Sequence, residues 1–116
     1  MISSTFTVFV HLKADISWLA LSRKKRDGIT QKEVFPLLQK YPELSHQHFD
    51  AEAFCGSVSD IEMFTCCDPK QFYFFFEEFR DSIIISSGYF KVIEIYPAYA
   101  DGYNEFDARV PASRET

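Results

Sequence analysis

The sequence predicts an α+β fold whose elements follow in the order βαββαβ, an antiparallel four-stranded sheet carrying two helices on one face. Three observations carry that prediction. Thr5–Leu12, TFTVFVHL, and Tyr89–Tyr96, YFKVIEIY, are runs of β-branched and aromatic residues near the two ends of the chain. Phe72, Phe75, Phe76 and Phe79 recur at i, i+3, i+4 and i+7, which is the spacing of one helix face. Between these regions, two alternating segments flank Gly56 and read as a hairpin. This is the ferredoxin-like layout, and its second sheet face is left open.

In the first strand, Phe6, Val8, Val10 and Leu12 alternate with Thr7, Phe9 and His11. From Asp15 to Tyr41 the pattern is helical but interrupted by Gly28 and Pro36. Thr30 followed by Glu33 has the form of a capping box, so a new helix is expected there, carrying Val34, Leu37, Leu38 and Tyr41 and ending before Pro42. The second strand is expected over Ser45–Phe54 and the third over Asp60 to Cys67, with Ile61, Met63 and Thr65 opposing Glu62, Phe64 and Cys66.

The stretch DPKQFYFFFEEFRDS, from Asp68 to Ser82, holds six aromatics in eight residues. Asp68 before Pro69 is a helix start, and a strand would have to accept both Pro69 and the Glu77-Glu78 pair. The spacing therefore predicts a helix whose stripe continues to Ile83, with Tyr73 and Phe74 off it. The fourth strand is expected to stop at Pro97. Residues 1–106 are expected to make one domain, and 107–116 a poorly ordered tail.

Within 116 residues a single core can form without staples. Net charge of −5 disfavours nucleic acid and anionic membranes, and no apolar run is long enough to span a bilayer. The one basic run, Arg23 to Arg26, is expected to be a solvated helix face, because the third strand, SDIEMFTCC, is acidic where an RNA-binding module carries stacking aromatics. Three cysteines without a CxxC pair and no leader-like N-terminus predict a cytoplasmic protein. An aromatic content of 17%, with 13 Phe, exceeds what one core needs and predicts a partner chain, a homodimer through the open sheet face and the aromatic tail.

The segments TFTVFVHLKADISWLALSR, FDAEAF, FFFEEFRD and YFKVIEIYPA resemble the darcynin family, over roughly Thr5 to Phe106. That resemblance implies the fold and no activity, since the shared segments contain no catalytic signature. The element order is also similar to the dimeric α+β barrels, in which two sheets pack face to face around pockets.

Alternation places His11, His48, Asp50, Glu52, Glu62 and Cys66 together on the open face. A histidine among carboxylates can serve as a general base, so His11, His48 and Glu52 are the candidate catalytic groups. Phe9, Trp18, Asp50, Glu62, Phe64, Cys66 and Tyr73 are the candidate lining of a ligand pocket. These polar groups could equally hydrate an exposed face or pair across a dimer seam, and structural ion pairs are the commoner case. His11, His48, Asp50, Glu52 and Cys66 have metal-ligand chemistry, yet their spacing fixes no coordination shell, so neither metal nor cofactor is expected. The functional expectation is a homodimer whose cavity binds a small apolar ligand. Its alternative is a cofactor-free monooxygenase or isomerase using a histidine base.

Overall fold

Four antiparallel strands in the order β2-β3-β1-β4 form the sheet. The computed structural model describes residues 5–109. β1 spans Phe6–Ala14, β2 Ser45–Asp50, β3 Asp60–Cys66 and β4 Phe90–Tyr99. β1 pairs with both β3 and β4, and β2 pairs with β3, so β2 and β4 are the edges. The βαββαβ order read from the sequence is the observed one, built from more helical pieces.

One face of β1 supplies the centre of the core. Val8, Val10, Leu12 and Ala14 are all buried there, at the strand's two-residue period. Against them pack Phe64 and Cys66 of β3, Trp18 from the first helical segment, and Phe75, Phe76 and Phe79 from the Phe-rich helix.

Two short helices follow β1: α1, Ile16–Leu19, capped by the Asp15 carboxylate, and α2, Arg23–Ile29, capped by the Ser22 hydroxyl. Arg26 of the basic run turns back, donating from its guanidinium to the carbonyl of Leu19, at the end of α1, and to that of Leu21 in the turn after it. The expected capping box at Thr30 does not form. The chain instead continues from α2 through a π-helical turn, Thr30–Val34, into α3, Phe35–Lys40, and Thr30 donates its hydroxyl to the Arg26 carbonyl at 3.0 Å. Pro36 explains the turn physically. It has no N–H and its ring crowds the carbonyl four residues back, and a wider turn, closed by the Phe35 N–H on the Thr30 carbonyl, absorbs both problems without ending the helix.

The Phe-rich segment is a helix as predicted: α4, Pro69–Asp81, with Asp68 accepting from the Lys70 N–H at 3.0 Å and Pro69 in the first turn. Phe75, Phe76 and Phe79 are buried and Phe72 packs beside them, whereas Tyr73 and Phe74 are exposed and touch each other, ring centroids 5.8 Å apart. The stripe does not run on to Ile83. Ser82 takes an extended conformation and a short helix, α5, Ile83–Ser86, restarts after it, so that Ile84 rather than Ile83 enters the core. Lys40 of α3 bonds Glu78 of α4 at 2.7 Å, and the Tyr41 hydroxyl donates to the same carboxylate, tying the two helices together.

Two further boundaries move. β2 ends at Asp50, not Phe54: the Phe54 and Cys55 N–H groups both turn back to the Ala51 carbonyl, and Phe54 is left 93% exposed. β4 runs through Pro97 to Tyr99, because an edge strand can carry a proline whose missing donor would face outward. After it, α6, Gly102–Ala108, begins at Asp101, a residue in the left-handed region at φ 47°. Of the tail expected over 107–116, residues 110–116 lie outside the described residues.

Candidate functional site: a histidine and carboxylate cluster at an aromatic cavity

Directly opposed residues of an antiparallel pair project to the same side of the sheet. Val10 is buried under the helices and faces Glu62, and Glu62 in turn faces His48. Both polar residues therefore lie on the helix-covered side, which corrects their expected place on the open face; Cys66, opposite Phe6 and 4% exposed, moves with them. His11 faces Ile61 and stays on the open side. Of the six residues expected together on the open face, His11 is thus separated from His48, Glu62 and Cys66 by the sheet itself. The misplacement has a simple cause: β3 carries apolar residues at both parities, Ile61 and Met63 on one side and Phe64 and Cys66 on the other, so its alternation alone does not say which side is covered.

Between sheet and helices lies a cavity of about 360 Å³. Its wall is largely aromatic, with Trp18, Phe64, Phe75, Phe76, Phe79 and Phe90 among the lining, joined by aliphatic groups from β1, Val34, Leu38 and Ile84 and by Thr30. At the side of β2 and β3 four polar residues join the lining: His46, His48, Asp60 and Glu62. An apolar chamber with a few convergent polar groups is the usual build of a small-molecule site, and this volume falls within the usual range.

The polar groups form one bonded cluster. His48 Nε2 donates to Asp60 Oδ1 at 2.7 Å and lies 3.5 Å from Glu62 Oε2, while His46 Nε2 lies 2.6 Å from Glu62 Oε1. The His46 ring also lies against Phe64, centroids 5.0 Å apart. Burial works against a charged His48, but the Asp60 hydrogen bond and the charges of Glu62, Asp60 and Asp50 outweigh it and raise the imidazole pKa above its ordinary value.

Asp60 is itself held from behind. Ser59, fully buried, accepts from the Ala14 N–H at 2.7 Å and donates its hydroxyl to Asp60 Oδ2 at 2.7 Å. Its own N–H bonds the Leu12 carbonyl, fastening the loop before β3 to the end of β1. One oxygen of Asp60 is thus fixed by the core and the other is presented to His48.

Of the residues singled out from sequence, Trp18, His48, Glu62 and Phe64 line the cavity. Phe9 lies on the opposite side of the sheet, between Met63 and Tyr96, and His11 stands edge-on to Tyr96 with centroids 5.1 Å apart. Asp50 ends β2 opposite Asp60 and accepts from the Glu52 N–H, in an exposed turn. Cys66 donates its thiol to the Asp68 carbonyl, and burial raises its pKa. Tyr73 is exposed on α4. Sequence reasoning missed His46, Ser59, Asp60 and the α3 side of the cavity. His46 had a signal, since it precedes His48 by two and must share its face.

Fold and site together define a ferredoxin-like α+β protein with an aromatic cavity fronted by two histidine–carboxylate pairs. The chain belongs to the Darcynin family: the model of Darcynin, a domain of unknown function, matches residues 1–114. Darcynin 1 of Acinetobacter baumannii is 36% identical over 90 residues, 78% of this chain and 100% of the relative. Darcynin of Chromobacterium violaceum is 37% identical over 75 residues, 65% of this chain and 95% of that one. Among solved structures, a heme-binding protein from Thermus thermophilus matches with a TM-score of 0.75 at 18% identity, over 93% of this chain and 45% of that chain. A mutant chlorite dismutase from Candidatus Nitrospira defluvii matches at 0.74 and 11%, over 99% and 47%. A dimeric chlorite dismutase from Nitrobacter winogradskyi matches at 0.67 and 12%, over 82% and 56%. The chain spans about half the length of these solved structures, and at such identities the likeness is one of fold.

Proposed function

We propose that this protein binds a small apolar ligand in the cavity between sheet and helices and works as a homodimer joined through the open sheet face. The observation that carries the ligand is the aromatic chamber of about 360 Å³, with its ionisable groups gathered on the β2–β3 side. The dimer rests on the open face, where Phe9, Ile61 and Met63 are only partly covered and Phe49 and Tyr96 are 43% and 51% exposed. The Nitrobacter winogradskyi neighbour is described as dimeric.

The heme-binding neighbour raises the question of heme here. The cavity residues fit it poorly. Heme carries two propionates, and among the described residues lining the cavity there is no Lys or Arg to meet them, while Asp60 and Glu62 would repel them. A neutral apolar ligand, oriented by hydrogen bonds to the histidine and carboxylate groups, suits the lining better.

The catalytic alternative, a cofactor-free oxygenase or isomerase with a histidine base, has one observation in its favour. His48 reaches the cavity with Asp60 bonded to its ring, the pairing that orients a general base. His11 and Glu52 would have to act elsewhere.

Trp18, the single tryptophan, lines the chamber and gives a direct test. The neutral probe N-phenyl-1-naphthylamine should bind saturably, brightening while Trp18 emission falls, and Phe76→Trp should weaken it by filling the chamber. A probe signal that never saturates, or that Phe76→Trp leaves unchanged in a folded protein, rejects the ligand reading.

A further inference from the structure

We propose that His48, Asp60 and Glu62 bind a divalent first-row transition ion at the β2–β3 side of the cavity, with Ser59 and His46 holding the two carboxylates in place. The three donor residues offer ligand atoms that all lie within 4.8 Å of one another. His48 Nε2 is 2.7 Å from Asp60 Oδ1 and 3.5 Å from Glu62 Oε2. Donors about 2.0–2.2 Å from a shared ion stand roughly 3 Å apart, so small side-chain adjustments would admit one.

The backbone prearranges this set. His48 and Glu62 are direct cross-strand partners, and Asp60 is two residues from Glu62 on the same side of β3. All three therefore hang from one antiparallel ladder rather than from loops.

The outer oxygens supply an independent observation. Asp60 Oδ2 takes the hydroxyl of Ser59, which has no solvent exposure, and Glu62 Oε1 takes His46. Ligating carboxylates are characteristically held in this way by groups that do not touch the ion. A seryl hydroxyl placed in the core and aimed at a rim carboxylate is more support than an ordinary surface ion pair receives.

Chemistry narrows the ion. One imidazole and two carboxylates without a thiolate suit Zn(II), Mn(II) or Fe(II), and the imidazole argues against Mg(II) and Ca(II). The His48 side chain remains 47% exposed, which leaves room for water or ligand atoms to complete the shell. On binding, Nε2 gives its proton to solvent or to Nδ1 and its lone pair to the ion. Ion ligand and free base are exclusive uses of that imidazole, so the same experiment decides between them.

The test is calorimetric titration of the chelator-treated full chain with Zn(II), Mn(II) and Mg(II), together with the absorption spectrum of the Co(II) form. Expected are one Zn(II) per chain and no heat with Mg(II). Asp60→Asn and His48→Gln should each weaken Zn(II) at least tenfold, and Ser59→Ala about 10–100-fold although Ser59 touches no ion. His11→Gln, across the sheet, should bind as the parent does. Far-ultraviolet circular dichroism keeps the comparison to folded variants. Absence of Zn(II) binding, equal affinity in Asp60→Asn, or a thiolate charge-transfer band from Co(II), which would assign the ion to cysteine, each overturns the proposal. N-phenyl-1-naphthylamine binding is read separately and stands or falls by itself.

Discussion

Ser59 donates to Asp60 Oδ2 at 2.7 Å while accepting from the Ala14 N–H, so a buried hydroxyl links the end of β1 to the polar rim of the cavity. Removing it leaves a backbone donor without a partner in the core. Ser59→Ala is expected to cost about 1–3 kcal/mol by urea unfolding, the usual penalty for orphaning a buried polar group. A variant as stable as the parent would show that the hydroxyl holds nothing.

The six aromatics of α4 should separate into two energetic groups. Phe75 is 1% exposed, between Tyr41, Phe64 and Phe79, and Phe75→Ala should destabilise by about 3–5 kcal/mol. Tyr73, 58% exposed, should change stability by about 0.5 kcal/mol or less when replaced by Ser. Similar losses at both positions would mean that the buried stripe has been misplaced.

The contact between α3 and α4 should respond to acid. Hydrogen bonds from Lys40 and Tyr41 hold the Glu78 carboxyl below its ordinary value of 4.5. A depressed folded pKa means that its contribution is complete above the unfolded value and fades as pH falls below about 4.5 through the lower folded value. Thermal melts of the parent and Glu78→Gln should therefore differ at neutral pH and converge in acid. The difference will be modest, since these groups are solvated. A gap that widens in acid would reverse the assignment.

The open face gives the oligomer test. Met63 sits there between Phe9 and Gln47. Light scattering behind size exclusion should give a dimer for the parent and a monomer for Met63→Lys, which sets an ammonium into the proposed seam. A parent chain that is monomeric at micromolar concentration removes the homodimer.

Element type and order were largely legible because they depend on local chemistry. Asp68 and Pro69 start α4, the i, i+3, i+4, i+7 phenylalanines mark its buried side, and β1 alternates in a way that survives intact in the fold. Where boundaries moved, context overrode local preference. Pro97 is tolerated because β4 is an edge, and Pro36 because the preceding turn widens.

The site was legible only in part. His48, Glu62, Phe64 and Trp18 were all singled out, yet their common face could not be read from alternation, since β3 is apolar at both parities. His46 beside His48 and Ser59 behind Asp60 gain meaning only once β2, β3 and the end of β1 are aligned.

By itself, the sequence determined the succession of strands and helices and which side chains are greasy enough to need cover, since both follow from spacing along a few turns of chain. Tertiary structure alone decided that His11 and His48 look in opposite directions and that His48, Asp60 and Glu62 converge at one rim. The physical reason is register: sliding one strand by a single residue turns its whole row of side chains over, and only the combined burial of every strand and helix selects one alignment.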